Sequence, residues 1–242
     1  QLKEAITDKT KALIFSSPCN PTGSVFSEQE LKDIAAVLKD HPNITVISDE
    51  IYELINYGEK HVSIGAIEGM QDRTVTVNGF AKGFAMTGWR VGYIGAPTWL
   101  AKAASKIQGQ ITSANCSIAQ RAALTALTSS LEPSYEMVKE YQSRRELVHG
   151  LLSEIPGVEV NMPGGAFYFF PNISSYFGKS VGETKIENAT DLSMYLLEDA
   201  RVSVVTGEAF GAPECLRLSY AASVDELKKA IAAMKESLAK LS

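Results

Sequence analysis

The sequence is short of the residues and patterns that several classes of protein require. Its cysteines are three, Cys19, Cys116 and Cys215, an odd and scattered set in 242 residues. They suggest neither a disulfide framework nor a zinc knuckle, so no metal site is expected and the thiols read as reduced, as in a cytoplasmic protein. No unbroken apolar run approaches the roughly 18 residues that a membrane span needs. No basic segment followed by an apolar stretch opens the chain, which starts with Gln rather than Met. Excess positive charge is missing as well: 23 Lys and Arg stand against 28 Asp and Glu, a net charge of −5. That argues against a nucleic-acid partner bound through a basic face. Repeats, low-complexity tracts and long linkers are also lacking.

What is present is an ordinary globular composition, 45% hydrophobic and 21% charged, on a chain long enough for one large or two modest domains. In the first half, strand-like and helix-like segments alternate. Lys11–Ser17, Thr45–Ser48, Thr74–Asn78 and Val91–Gly95 read as strands. Ser27–Asp40 reads as a helix opened by a capping box of Ser27 and Glu30, with apolar positions at Leu31, Ile34, Ala35, Val37 and Leu38. This alternation predicts an α/β layer on a mainly parallel sheet. The second half reads as an α+β unit. Helices are predicted at Ser117–Ser129, Ser134–Ser153, Asp191–Ala200 and Val224–Leu241, the last capped by Ser223 and Glu226. Strands are predicted at Val158–Val160, Ala166–Phe170, Val202–Val205 and Leu216–Tyr220. The boundary is placed near residue 132, giving domains 1–132 and 133–242.

Four segments carry candidate chemistry, and each has a plainer reading beside it. Ser17-Pro-Cys-Asn-Pro-Thr-Gly23 is a rigid loop at a strand end, where open α/β sheets bind ligands. Asn20 there is either a donor to a ligand oxygen or a residue chosen for its turn. Asp49, after Val46-Ile47, is either a half-buried carboxylate that needs a cationic partner such as a pyridinium nitrogen, or a helix N-cap beside a packed Tyr52. Lys82 follows a strand in a loop poor in other charge, a setting that makes an amine nucleophilic. Arg90, among small residues, suits bidentate phosphate binding, and the alternative for both is an ordinary surface side chain. Arg217, flanked by leucines in a strand, is either edge-exposed or a clamp for a carboxylate.

Taken in order, these segments resemble the class I/II aminotransferases, pyridoxal-phosphate enzymes of fold type I. The phrases are Asn-Pro-Thr-Gly at 20–23, Asp-Glu-Ile-Tyr at 49–52, Ala-Lys at 81–82 with Met-Thr-Gly-Trp-Arg at 86–90, and Arg-Leu-Ser-Tyr at 217–220. Gly164–Tyr168 and Val205–Gly211 add to the likeness. The stretch from Asn78 to Arg90 is most similar to bacterial aspartate aminotransferases.

The resemblance implies a PLP-dependent transferase-like fold, with a partial large domain of mainly parallel sheet and a C-terminal α+β small domain. It implies pyridoxal 5'-phosphate as cofactor and ping-pong transfer of an amino group from an L-amino acid, aspartate, to a 2-oxo acid, 2-oxoglutarate. By the same resemblance, Lys82 would hold the cofactor as an aldimine and carry the proton. Asp49 would pair with the pyridine nitrogen, Asn20 and Tyr52 with the phenolic oxygen, and Arg90 with the phosphate. Asn20 and Arg217 would bind substrate, Arg217 through its α-carboxylate. Family members carry a longer N-terminal portion and are homodimers, so the resemblance implies a fragment whose isolated chain binds cofactor poorly and turns over little. Two departures stand out: many relatives have serine where this chain has Gly79 and Ala81, and no distal-carboxylate arginine lies in Thr112–Ser117. Other readings of the same set are a carbon–sulfur lyase, an alanine or aromatic transaminase, an aminotransferase-like sensor domain of a transcription regulator, and an inactive truncated product.

Overall fold

In a computed structural model describing residues 1–58 and 60–242, the chain folds as two compact units. The first comprises Gln1–Cys19 and Ser24–Val138; the second comprises Asn20–Gly23 and Lys139–Ser242.

The first unit begins with a short helix, α1 (Leu2–Ala5), and strand β1 (Ala12–Ser16). Helix α2 (Glu28–Lys39) starts at Ser27, whose side chain accepts from the Glu30 backbone while the Glu30 carboxylate accepts from the Ser27 N–H. This is the predicted capping box, a device worth about 1 kcal/mol. The apolar stripe of α2 buries Leu31, Ala35 and Leu38 against Ile44, Val46, Ile64 and Met70. That cluster takes in Val46 of strand β2 (Thr45–Asp49), with Leu13 and Phe15 of β1 packed against it; strands β3 (Thr74–Gly79) and β4 (Gly92–Gly95) complete the sheet. The sheet order is β1-β2-β3-β4. Strands β1, β2 and β3 run parallel, and β4 is antiparallel to β3.

The helices α3 (Thr98–Ile111), α4 (Ser117–Thr128) and α5 (Glu132–Ser153) follow. The sequence pattern predicts no element where α3 lies. Its N-cap is Pro97, with no side-chain cap bond, and none of its residues is buried, so the usual start and core signals are absent.

In the second unit, strands β5 (Tyr168–Phe169), β9 (Leu216–Ser219) and β8 (Val205–Thr206) form an antiparallel sheet with β9 in the middle. A two-stranded hairpin joins β6 (Ser180–Val181) to β7 (Thr184–Lys185). Helix α6 (Ala189–Tyr195) is capped by Asn188, which accepts from the Asp191 N–H, and α7 (Val224–Leu238) by Ser223, which accepts from the Glu226 N–H. The buried set includes Val148, Leu152, Phe169, Leu192, Leu196, Leu216, Tyr220, Ile231 and Leu238.

Several predicted elements are shorter than expected, among them Ala166–Phe170, of which only Tyr168–Phe169 pairs as β5. Val158–Val160 is not a strand; Glu159 alone bridges to Asn172, between the Pro156-Gly157 turn and Pro163. Val202–Val205 reduces to the start of β8. The preceding helix ends in a π turn, Leu196–Ala200, closed by Arg201 in the left-handed region at φ +58°. The chain spends the next residues leaving that turn. Helix α7 stops at Leu238 rather than Leu241.

Candidate active site

Side-chain alternation along β2 decides what each residue at its carboxyl end can do. Ser48 and Glu50 lie on one face and Asp49 on the other. Asp49 is half-buried, beside Ser16 of β1 and Val77 of β3, and its Oδ1 accepts from the Ile51 N–H at 3.1 Å. One lone-pair direction is thereby fixed by backbone, which orients the carboxylate at the strand end.

Tyr52, in the turn that follows, is 3% exposed. Lys82 lies just beyond β3, half-buried, with its Nζ 5.6 Å from the centre of the Tyr52 ring. The loop that carries it is held by Ala85 N–H donating to Lys82 and Met86 N–H donating to Phe80. Gly83 lets this loop press on the 52–55 turn; a Cβ there would come within 2.7 Å of Leu54 Cδ1. Lys82 and Tyr52 are thus brought together by packing, which the surface-lysine alternative does not provide.

Arg90 is exposed and takes the left-handed conformation at φ +53°, with Nη1 donating to Thr87 O at 2.9 Å. A non-glycine residue held at positive φ is an uncommon conformation. Arg90 lines a cavity of about 550 Å³ with Asn78, Tyr93, Gln108 and Asn115.

Behind Asp49 lies a network that sequence reasoning missed. Glu50 is 2% exposed. Its Oε1 accepts from Ser48 Oγ at 2.9 Å and Ser63 Oγ at 2.7 Å, and its Oε2 lies 2.9 Å from His61 Nε2. A carboxylate fills that last spacing by accepting the imidazole proton. The signal was available: the face opposite Asp49 must place the next acidic side chain in the interior, where it needs partners. The phenol of Tyr93 is pushed upward, chiefly by burial and then by the nearby charges of Glu53 and Glu50.

The second unit holds the other two candidates. Arg217 sits on β9, the central strand, so the edge-strand alternative does not apply. Its Nη1 donates to Asn20 Oδ1 at 2.9 Å. This bond assigns the amide of Asn20: the oxygen faces Arg217, and the NH₂ is left as a donor elsewhere. Gly23 anchors the same short segment, its carbonyl accepting from the N–H groups of Gly164 and Gly165, both at 2.9 Å. At Gly23, φ is +68° and a Cβ would overlap Pro163, so glycine is required.

The family model for aminotransferase class I and II matches residues 1–234. The chain belongs to this family. Among its relatives is the petunia (Petunia hybrida) bifunctional aspartate aminotransferase and glutamate/aspartate-prephenate aminotransferase. It is 46% identical over 242 residues, covering 98% of this chain and 50% of the petunia protein. The crystal structure of aspartate aminotransferase from Rhizobium meliloti superposes with a TM-score of 0.95 at 40% identity, over all of this chain and 61% of that one. An aromatic aminotransferase from Pyrococcus horikoshii OT3 gives 0.90 at 41% identity, over 99% of this chain and 62% of that one. The chain therefore spans about half to three-fifths of the length of these aminotransferases. No helix among the described residues is long and apolar enough to cross a membrane.

Proposed function

We propose that the protein of which this chain is at least a part is a pyridoxal-phosphate-dependent aminotransferase. It moves an amino group from an L-amino acid, aspartate, to a 2-oxo acid, 2-oxoglutarate. The observation that carries the reading is the pairing of half-buried Lys82 with buried Tyr52 beyond the carboxyl ends of β2 and β3, in a chain up to 46% identical to proteins named for aspartate transamination. The chemistry of the donor set supports the cofactor. A phosphorylated pyridine aldehyde calls for an amine, a carboxylate, donors to a phenolic oxygen and a guanidinium. Lys82, Asp49, Tyr52 with Asn20, and Arg90 are of those types.

When bound, pyridoxal phosphate supplies an aldehyde that condenses with amines and a ring that draws off the electron pair of a Cα–H bond. Lys82 would provide the amine that holds it and the base that carries the Cα proton. Asp49, oriented by the Ile51 N–H, would keep a proton on the ring nitrogen. The Tyr52 hydroxyl and the Asn20 NH₂ would be the donors to its phenolic oxygen, and Arg90 would pair with its phosphate. Arg217 takes the substrate α-carboxylate, which sets the direction of the Cα–H bond. We read the first domain as the cofactor-binding lobe, and the whole enzyme as a cytoplasmic homodimer.

The test is an absorbance titration with pyridoxal phosphate, with and without borohydride, on the chain and on the full product of its gene. A borohydride-fixed adduct on Lys82 that is lost in Lys82→Ala, together with bleaching by aspartate, is the expected result. No lysine-specific adduct in the full product would overturn it. The likeness to an aromatic aminotransferase favours one second reading, an aromatic amino donor, which bleaching by phenylalanine in preference to aspartate would reveal.

A further inference from the structure

The guanidinium of Arg217 carries a positive charge in a half-buried position on a central strand. Among the described residues no Asp or Glu oxygen forms an ion pair with it. What it rests on is aromatic: its Cζ lies 4.6 Å from the centre of the Tyr168 ring and 5.0 Å from that of Phe210. The sheet explains the first contact. Tyr168 is paired with Ser219, so it is the diagonal neighbour of Arg217 on the same face.

The second contact depends on the loop after β8. Its 3-10 turn, Gly207–Phe210, opens at Thr206, whose hydroxyl accepts from the Glu208 N–H. The Glu208 carboxylate accepts from Thr190 Oγ1 at 3.0 Å. The Gly207 N–H donates to Cys215 O at 2.7 Å, and a Cβ at Gly207 would fall 2.1 Å from Ala212 O. Phe210 then meets Phe170 edge to face, with ring centres 5.9 Å apart. The ring under the guanidinium is therefore fixed by backbone and by a neighbouring ring.

We propose that Tyr168 and Phe210 are positioning residues for Arg217. A carboxylate partner would neutralise the guanidinium and compete with an anionic ligand. Two ring faces stabilise the cation without cancelling its charge. They also hold its plane, and the bond to Asn20 sets its rotation within that plane. The clamp is thus ordered before a carboxylate arrives, and the cost of freezing a long side chain is met on folding rather than on binding. Lysine cannot replace Arg217 here, because an ammonium has no plane to stack and no fork to offer. The functional side of this inference rests on the proposed role of Arg217 toward a substrate carboxylate.

The experiment is NMR of the arginine side-chain N–H signals of the chain, followed by titration with succinate, a dicarboxylate with no amino or keto group. In the free wild-type chain, the Arg217 Nε–H signal is expected to be displaced by ring currents and its terminal nitrogens to rotate slowly. Phe210→Leu is expected to move that signal toward the ordinary arginine position and speed the rotation, and to weaken succinate two- to five-fold. Phe210→Tyr is expected to restore both, and Tyr168→Leu to act like Phe210→Leu. An unchanged Nε–H signal in Phe210→Leu overturns the cradle, whatever the ligand does. If Arg217→Lys leaves succinate binding as it was, or neither the chain nor the full product of its gene binds any, the clamp reading falls instead, and the free-chain signal still decides the cradle.

Discussion

His61 Nε2 lies 2.9 Å from Oε2 of Glu50, the residue that directly follows Asp49. The pair closes the segment between β2 and β3 on itself, with Ser48 and Ser63 completing the acceptor's partners. Removing the carboxylate takes the acceptor away from three donors, of which Ser48 is buried and Ser63 and His61 are half-buried. Glu50→Ala is expected to lower stability by about 2–4 kcal/mol, and Glu50→Gln by less, since an amide oxygen still accepts. Denaturant melts of the variants check the magnitudes. Hydrogen exchange locates the effect, with protection lost at the backbone of Ile51, Glu53 and Ile55. A Glu50→Ala variant as stable as wild type would show that the network is incidental.

The Asp199 carboxyl is held below the ordinary carboxylate range by Lys240, whose Nζ donates at 2.7 Å, and then by Ser237. A depressed acid contributes stability above its unfolded pKa, and that contribution is lost as pH falls through the folded value. Lys240, raised chiefly by the same hydrogen bond, sets the alkaline limit: the contribution is present below its unfolded pKa while Asp199 stays ionised, and is lost as pH rises through its folded value. Stability of the wild type is therefore expected to fall more steeply below about pH 4 than that of Asp199→Asn. Denaturant midpoints taken at stepped pH measure the slopes. Equal slopes for the two proteins would remove Asp199 from the account.

Gly79 is paired with Gly92 across β3 and β4, and a Cβ at Gly79 would lie 2.9 Å from Gly92 Cα and 3.1 Å from Val91 O. Restoring the serine that many family members carry there is therefore expected to spread the strands rather than add a phosphate contact. Gly79→Ser should cost about 1–3 kcal/mol and leave pyridoxal phosphate affinity no better than wild type. A thermal melt and a cofactor titration on the same samples test both statements. Tighter binding at unchanged stability would mean that the strands have room to spare.

The sheet of the first unit was legible because its cues are local. Apolar β-branched runs end at Gly, Pro or Asp, and Ser27 with Glu30 announces α2. The phrases around Asn20, Asp49, Lys82 and Arg217 were legible for another reason: taken singly each left a plainer reading open, and only their order along the chain resembles the class I/II aminotransferases. The Glu50–His61 pair was not read because it depends on which face of β2 turns inward and on a histidine far along the chain. Helix α3 escaped for want of a cap and a buried stripe. The short strand β8 was overestimated because a β-branched run sets a propensity, while the π turn at Leu196–Ala200 and the left-handed Arg201 decide where pairing begins.

The excursion of Asn20–Gly23 into the second unit makes the protein indivisible in a way its linear order conceals. A gene fragment starting at Lys139 would encode a sheet whose Gly164 and Gly165 amides have lost the carbonyl of Gly23, and an Arg217 without Asn20. Recombination that exchanged the two halves at one crossover would mix a clamp from one parent with a loop from the other. Such chimaeras should survive only when both parents agree at four residues lying more than a hundred positions upstream of the crossover.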